Sequence, residues 1–148
     1  MAGVVTLVLD ASALVALIDG EVGGREVAEV LGSGGVASAV NLAEARDRLV
    51  RTVRDPDAAR KGFDLLVARG FRVVACDLAI ADRAAELRVA HYHRTDLPVS
   101  LADCIGVATA LQLGGTLVTS DADQCRLAAI VGVAVHPIPN SSGVRPEA

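Results

Sequence analysis

Acidic side chains fall at four places in this chain where a strand-like run hands over to a helix-like one, or just inside the helix. Asp10 follows the apolar run Val4 to Leu9. Glu44 lies in the helical run after the second strand. Asp103 opens the run Leu101 to Leu113. Asp121 and Asp123 sit in "LVTSDADQC", where Thr116 to Val118 gives way to a helix. Each has an ordinary structural reading. Asp is a favoured helix N-cap. Ser100-x-x-Asp103 and Ser120-x-x-Asp123 both match a capping box, and Glu44 could pair with Arg48 at i,i+4.

Capping accounts for each acid singly but not for their coincidence. Strand ends of a parallel sheet share one edge, so Asp10, Asp103 and Asp121 could converge there, with Glu44 pointing in from its helix. Carboxylates within about 4–6 Å repel, and a divalent cation relieves the repulsion. All-oxygen ligands select hard ions such as Mg²⁺ or Mn²⁺, and a water acidified by such an ion can attack a phosphodiester. Ser12, Thr119 and Ser120 could then hold a water or a phosphate oxygen.

The elements that must place these side chains alternate. Strands are expected at Val4 to Leu9, Val36 to Ser38, Phe71 to Ala75, Thr116 to Val118 and Val133 to His136. Helices are expected at Ala11 to Ile18, Arg25 to Leu31, Val40 to Val53, Ala58 to Ala68, Leu78 to His91, Leu101 to Leu113 and Cys125 to Val131. The alternation predicts one α/β domain with a mostly parallel sheet of four to five strands flanked by helices. The domain is expected to span 1–138, with 139–148 as a flexible tail. Leu78, Ala81, Ala85 and Val89 read as the apolar stripe of their helix. Leu14, Leu17, Val27 and Leu31 read as a helical surface for dimerisation or partner docking, and core packing explains them almost as well.

Composition narrows the classes. The 148 residues suit one domain, and 52% hydrophobic content is ample for a core. No apolar run approaches the roughly 20 residues that cross a bilayer, and the opening lacks a signal-peptide pattern, so a cytoplasmic protein without membrane association is expected. Cys76, Cys104 and Cys125 form no C-x-x-C and read as core residues. A net charge of −4 does not suggest bulk attraction to nucleic acid. Even so, Arg46, Arg48, Arg51 and Arg54 line one helix, and Arg48 and Arg51 fall near the face of Glu44, where they could guide an RNA backbone. His91, Tyr92 and His93 read as surface residues. Their i,i+2 spacing makes the histidines a poor metal pair, though Tyr92 could stack on a base.

"LVLDASALVAL", "ASAVNLAEA" and "SLADCIGVATALQLGGTLVTSDAD" resemble the PIN domain, and within it the toxin of a bacterial VapBC toxin–antitoxin pair. The resemblance covers roughly Val4 to His136. It implies a Mg²⁺- or Mn²⁺-dependent endoribonuclease with the quartet Asp10, Glu44, Asp103 and Asp121, of which Asp10, Asp103 and Asp121 would hold metal. Asp123 would be a helper, and Thr119 the hydroxyl beside the last Asp. It also implies 5′-phosphate and 3′-hydroxyl products, a VapB-like antitoxin, homodimers and further toxin–antitoxin assembly. An aromatic often follows the last D-x-D in the family, where this chain has Gln124. A PIN nuclease of RNA processing is the nearest alternative. A module that binds without catalysis would keep the fold, but the intact acids argue against it. A phosphoaspartyl phosphatase or receiver would need a Lys near the phosphate, and the only lysine, Lys61, lies in a helical run.

Overall fold

The computed structural model describes residues 3–32, 34–52 and 55–147. Five strands, β1 (Leu7–Leu9), β2 (Val36–Ser38), β3 (Arg72–Val74), β4 (Thr116–Thr119) and β5 (Val135–Pro137), form one sheet in the order β3-β2-β1-β4-β5. Every pairing is parallel, with Val8 opposite Leu117 and Leu117 opposite Val135. The helices are α1 (Ala11–Asp19), α2 (Gly24–Leu31), α3 (Ala39–Thr52), α4 (Pro56–Ala68), α5 (Leu78–His91), α6 (Leu101–Leu113) and α7 (Ala122–Val131).

Strand alternation sorts the core into two layers. Val8, Val36 and Leu117 pack with Ile80, Leu87, Val107 and Leu127 of α5, α6 and α7. Leu9, Ala37 and Val118 pack on the other face with Leu14, Val27, Leu49 and Phe63 of α1 to α4. Cys104 and Cys125 are buried and Cys76 is half-buried, all free, as expected of core thiols. No described helix is long and apolar enough to cross a membrane.

Strand order reverses between β1 and β4. β2 and β3 extend the sheet to one side of β1, and β4 and β5 to the other. In an open parallel sheet this reversal splays the connections apart and leaves a crevice at the carboxyl ends of the two central strands. Asp10 is the residue after β1, and Ser120 and Asp121 follow β4.

Several expectations change. β1 is shorter than Val4 to Leu9, because Val4 and Val5 are 98% and 61% exposed with no strand beside them. The stripe of α5 is inverted: Ile80, Ala84 and Leu87 are buried, whereas Leu78 and Val89 face solvent. Leu14 and Val27 are core residues rather than a docking surface. Leu17 and Leu31 alone of that set reach a small hollow of 110 Å³ beside Leu66 and Phe71. Val53 and Arg54 lie outside the described residues.

Candidate active site

The crevice is built from the two strand ends. Asp10 caps α1, and its Oδ1 accepts the Ala13 N–H at 2.9 Å and the Ser12 hydroxyl at 2.7 Å. Its Oδ2 accepts the Thr119 hydroxyl at 2.6 Å across the β1–β4 boundary. Thr119 Oγ1 in turn accepts the Asp121 N–H at 3.0 Å, and Ser12 Oγ accepts the Ser120 N–H at 2.9 Å. Two hydroxyls thus lace the loop after β4 to the acid after β1. Asp10 is only 5% exposed. Burial pushes its carboxyl up to about 6, although the Ser12, Thr119 and Ala13 donors pull it down, and the Asp121 charge adds to the rise.

Asp121 is the N-cap of α7 and accepts the Gln124 N–H at 2.8 Å. Asp123 pairs with Arg126 in the first turn. Ser120 and Asp123 therefore do not form the capping box that their spacing suggested. Ser100 and Asp103 do form theirs: Asp103 Oδ2 accepts the Ser100 N–H at 2.8 Å, and Ser100 Oγ accepts the Asp103 N–H at 3.0 Å. Burial raises the Asp103 carboxyl, and the charges of Asp121 and Glu44 add to the rise against the Ser100 N–H. Glu44 reaches the same edge from α3 and is tied to Arg48 at 2.6 Å. The capping readings of Asp10 and Asp103, and the pairing of Glu44 with Arg48, hold alongside a line of mutual repulsion that runs from Asp10 through Asp121 and Asp103 to Glu44.

The donor chemistry of this edge fits a hard cation. Its acids are carboxylates with hydroxyl neighbours and no sulfur or imidazole among the four. Among the described residues no group of three or more His, Cys, Asp or Glu side chains is placed to hold a metal ion together. One or two carboxylates with retained waters suffice for Mg²⁺, so the arrangement suits a hydrated ion better than a dry cage.

A PIN domain family model matches residues 7–130, most of the chain and all four acids. The chain belongs to the PIN domain family. No curated protein matches the sequence. Among solved structures this PIN domain is similar to the VapC20 toxin of Mycobacterium tuberculosis, described as sarcin-ricin-loop-cleaving. Identity there is 18% and TM-score 0.70, over 95% of this chain and 100% of that one. It is also similar to DNA-bound VapBC from Salmonella typhimurium (19%, TM-score 0.69, 90% and 98% covered). FitAcB from Neisseria gonorrhoeae is a third such structure (22%, TM-score 0.60, 88% and 96% covered).

In this PIN domain a cleft of about 310 Å³ opens next to Ser12 and Ser120, lined also by Glu21, Arg48, Arg51 and Asn140 among others, with none of the four acids in its lining. Arg48 and Arg51 do reach the cleft, yet both are paired on their own helix, Arg48 with Glu44 and Arg51 with Asp47 at 3.2 Å. Arg54 lies outside the described residues. Within the expected tail, Asn140 Oδ1 accepts the N–H groups of Ser142 and Val144. Arg145 donates to Glu26 at 2.7 Å and to the Pro137 carbonyl at 2.6 Å. Tyr92 lies under the Arg88 guanidinium, 4.3 Å from its ring centre, and joins a separate 340 Å³ hollow along α5 that contains none of the four acids. Lys61 is exposed on α4.

Sequence reasoning passed over Asn41 near the acids, and it noticed Gln124 only as a packing position where the family often has an aromatic. Both are polar and buried. For Asn41 the available signal was a polar residue in line with the inward-facing Ala45 and Leu49 of α3, one turn from Glu44.

Proposed function

We propose that this PIN domain is a divalent-cation-dependent endoribonuclease, the cytoplasmic toxin of a toxin–antitoxin pair. The observation that carries the reading is the placement of Asp10 and Asp121 at the crevice between β1 and β4, in electrostatic succession with Asp103 and Glu44. The likeness to VapC20, whose description is that of an RNA-loop-cleaving toxin, and to the VapBC complexes supports it.

Asp10, Asp103 and Asp121 would hold a hydrated Mg²⁺ or Mn²⁺, in part through its retained waters, and the ion when bound would supply an acidified water for attack on an RNA phosphodiester. The chain itself supplies the alignment. Thr119 orients two acids at once, donating to Asp10 and accepting from the Asp121 N–H. Ser12 donates to Asp10 Oδ1 while holding the backbone of Ser120. Glu44 adds negative charge beside Asp103, with Asp123 as an outer acid tethered by Arg126. Arg48 and Arg51 would meet the RNA backbone in the cleft, each exchanging a helix carboxylate for a phosphate.

For partners, we infer an antitoxin of the VapB kind, with Leu17 and Leu31 around their hollow as its apolar seat, and a homodimer able to assemble further with antitoxin. The test is incubation of purified protein with structured RNA, with Mg²⁺ or Mn²⁺ and with chelator, beside Asp10→Asn. Cleavage that needs the cation and disappears in the variant is expected. Cleavage that survives either chelator or substitution would overturn the reading.

A further inference from the structure

Two buried amides join the three helices that bear acids. Asn41 stands on α3, one turn before Glu44, and is 1% exposed. Ser38 at the end of β2 donates to its Oδ1 at 2.9 Å and accepts its backbone N–H at 3.0 Å. That fixes which end of the amide faces where, and its Nδ2 donates to the Ala102 carbonyl at 3.1 Å. Gln124 stands on α7, one turn after Asp121, and is fully buried. Its backbone N–H donates to Asp121 Oδ1, and its Nε2 donates to the Asp103 carbonyl at 3.1 Å. The two acceptors are successive carbonyls in the first turn of α6, which carries Asp103.

Gly106, one turn further along α6, makes room for the pair. A methyl at that position would lie 2.6 Å from Gln124 Nε2 and 3.2 Å from Asn41 Oδ1. The chain thus keeps a helix-weakening residue where two amides meet a helix.

We propose that Asn41 and Gln124 are positioning residues that fix the spacing of Glu44, Asp103 and Asp121 for a divalent cation. The inference rests on the reading of those acids as a cation site. Like charges on three separate helices push the helices apart, so something must hold them. Neutral amides hold backbone carbonyls without bringing a positive charge that would compete with the cation. The arrangement also carries a cost that stability alone does not explain. Among the described residues Gln124 Oε1 is buried with no protein hydrogen-bond partner, whereas buried polar atoms are normally satisfied. An apolar side chain of similar volume would remove that unmatched acceptor.

The test uses the full chain and three readouts: melting temperature without metal, Mn²⁺ affinity by calorimetry, and the kinetics of RNA cleavage. Gln124→Met is expected to melt at or above the wild-type temperature while binding Mn²⁺ about 10-fold more weakly, the scale on which outer-shell partners act. Its kcat should fall while KM for RNA holds. Gly106→Ala alters no acid and no amide, but its methyl displaces both amides, so it should weaken Mn²⁺ binding in the same direction. Wild-type Mn²⁺ affinity in both variants would overturn the clamp, and so would a loss that merely tracks lowered melting temperature. A wild-type protein that takes up no Mn²⁺ would overturn the cation-site reading itself and the clamp with it. That result differs from failure of the clamp alone, in which the wild-type protein still binds.

Discussion

Asp10 and Glu44 arrive at one edge of the sheet by opposite routes. Asp10 is a strand-end residue, almost wholly buried, whose two oxygens accept from Ser12, Ala13 and Thr119. Glu44 projects from the middle of α3, its side chain 27% exposed, and among the described residues its side-chain partner is Arg48, itself half exposed. The first carboxylate is oriented in advance, at a desolvation cost that shows as a carboxyl raised to about 6. The second is held by a partner that solvent or substrate can replace, since exposed ion pairs contribute only about 0–1 kcal/mol. A site built from both kinds has a rigid side fixed by the fold and an adjustable side that an incoming ligand can complete.

Removing the rigid acid is the hardest blow to that contrast. Asp10→Asn retains an acceptor for the Ala13 N–H but has no charge, and its amide NH₂ cannot accept from Thr119. RNA cleavage is expected to fall by at least about 100-fold, the upper end of what losing even an outer-shell partner of a metal ligand costs. Circular dichroism should show an intact fold. Wild-type cleavage would make Asp10 a helix cap and nothing more.

The same variant sharpens the contrast through pH. Asp10 is raised in the folded state from an ordinary 3.8 to about 6, so the folded protein binds its proton more tightly than the unfolded chain does. The stability this contributes is fully present below about pH 4 and is lost as pH rises through about 6. Urea unfolding of the metal-free protein should therefore show wild type losing up to about 3 kcal/mol relative to Asp10→Asn between pH 4 and 7. Parallel pH curves for the two proteins would show that burial does not strain this carboxyl.

Thr119 tests how the rigidity is made. Thr119→Val is close in shape but leaves Asp10 Oδ2 without its donor and the Asp121 N–H without its acceptor. Both contacts are buried or nearly so. A loss of about 1–3 kcal/mol is expected, read as a lower urea midpoint at unchanged slope, and Thr119→Ser should recover most of it. Equal stability of the Val and Ser variants would mean that the hydroxyl does not hold the two strand ends.

How far the sequence foretold this arrangement depended on whether its signals were local. The bounds of α5 and α6 follow from residues beside them: Asp77 and Ser100 cap their starts, and Gly114 takes the left-handed turn that ends α6. Asp10, Asp103 and Asp121 stood out for the same reason, since each lies next to a strand or helix boundary, whereas Glu44 sits well inside α3. What failed needed knowledge of neighbours. Val4 and Val5 have strand-like side chains but no adjacent strand. The inward face of α5 was misread because Leu78, Ala81, Ala85 and Val89 are spaced as regularly as Ile80, Ala84 and Leu87, and alanine-rich helices offer little contrast between faces. Ser120 and Asp123 matched a capping box, but Asp121 took the cap. Asn41 looks like a surface residue, and Gln124 like mere packing, until α6 is seen to present its carbonyls to them.

The smallest effect falls on the adjustable side. Arg48→Gln breaks the pair with Glu44 and removes one guanidinium from the cleft. Stability should change by less than about 1 kcal/mol, as for an exposed i,i+4 pair. RNA affinity, measured by anisotropy without metal across a salt series, should fall a few-fold, and the slope of log affinity against log salt should flatten by about one phosphate contact. A Glu44→Gln variant separates the two duties of Arg48. If Arg48 serves phosphate, freeing it from Glu44 should strengthen metal-free RNA binding while Arg48→Gln weakens it. If Arg48 only neutralises Glu44, Arg48→Gln should leave the salt slope unchanged. In that case the exposed side of the site would be as fixed as the buried one, and the contrast between Asp10 and Glu44 would be one of burial without any difference in freedom.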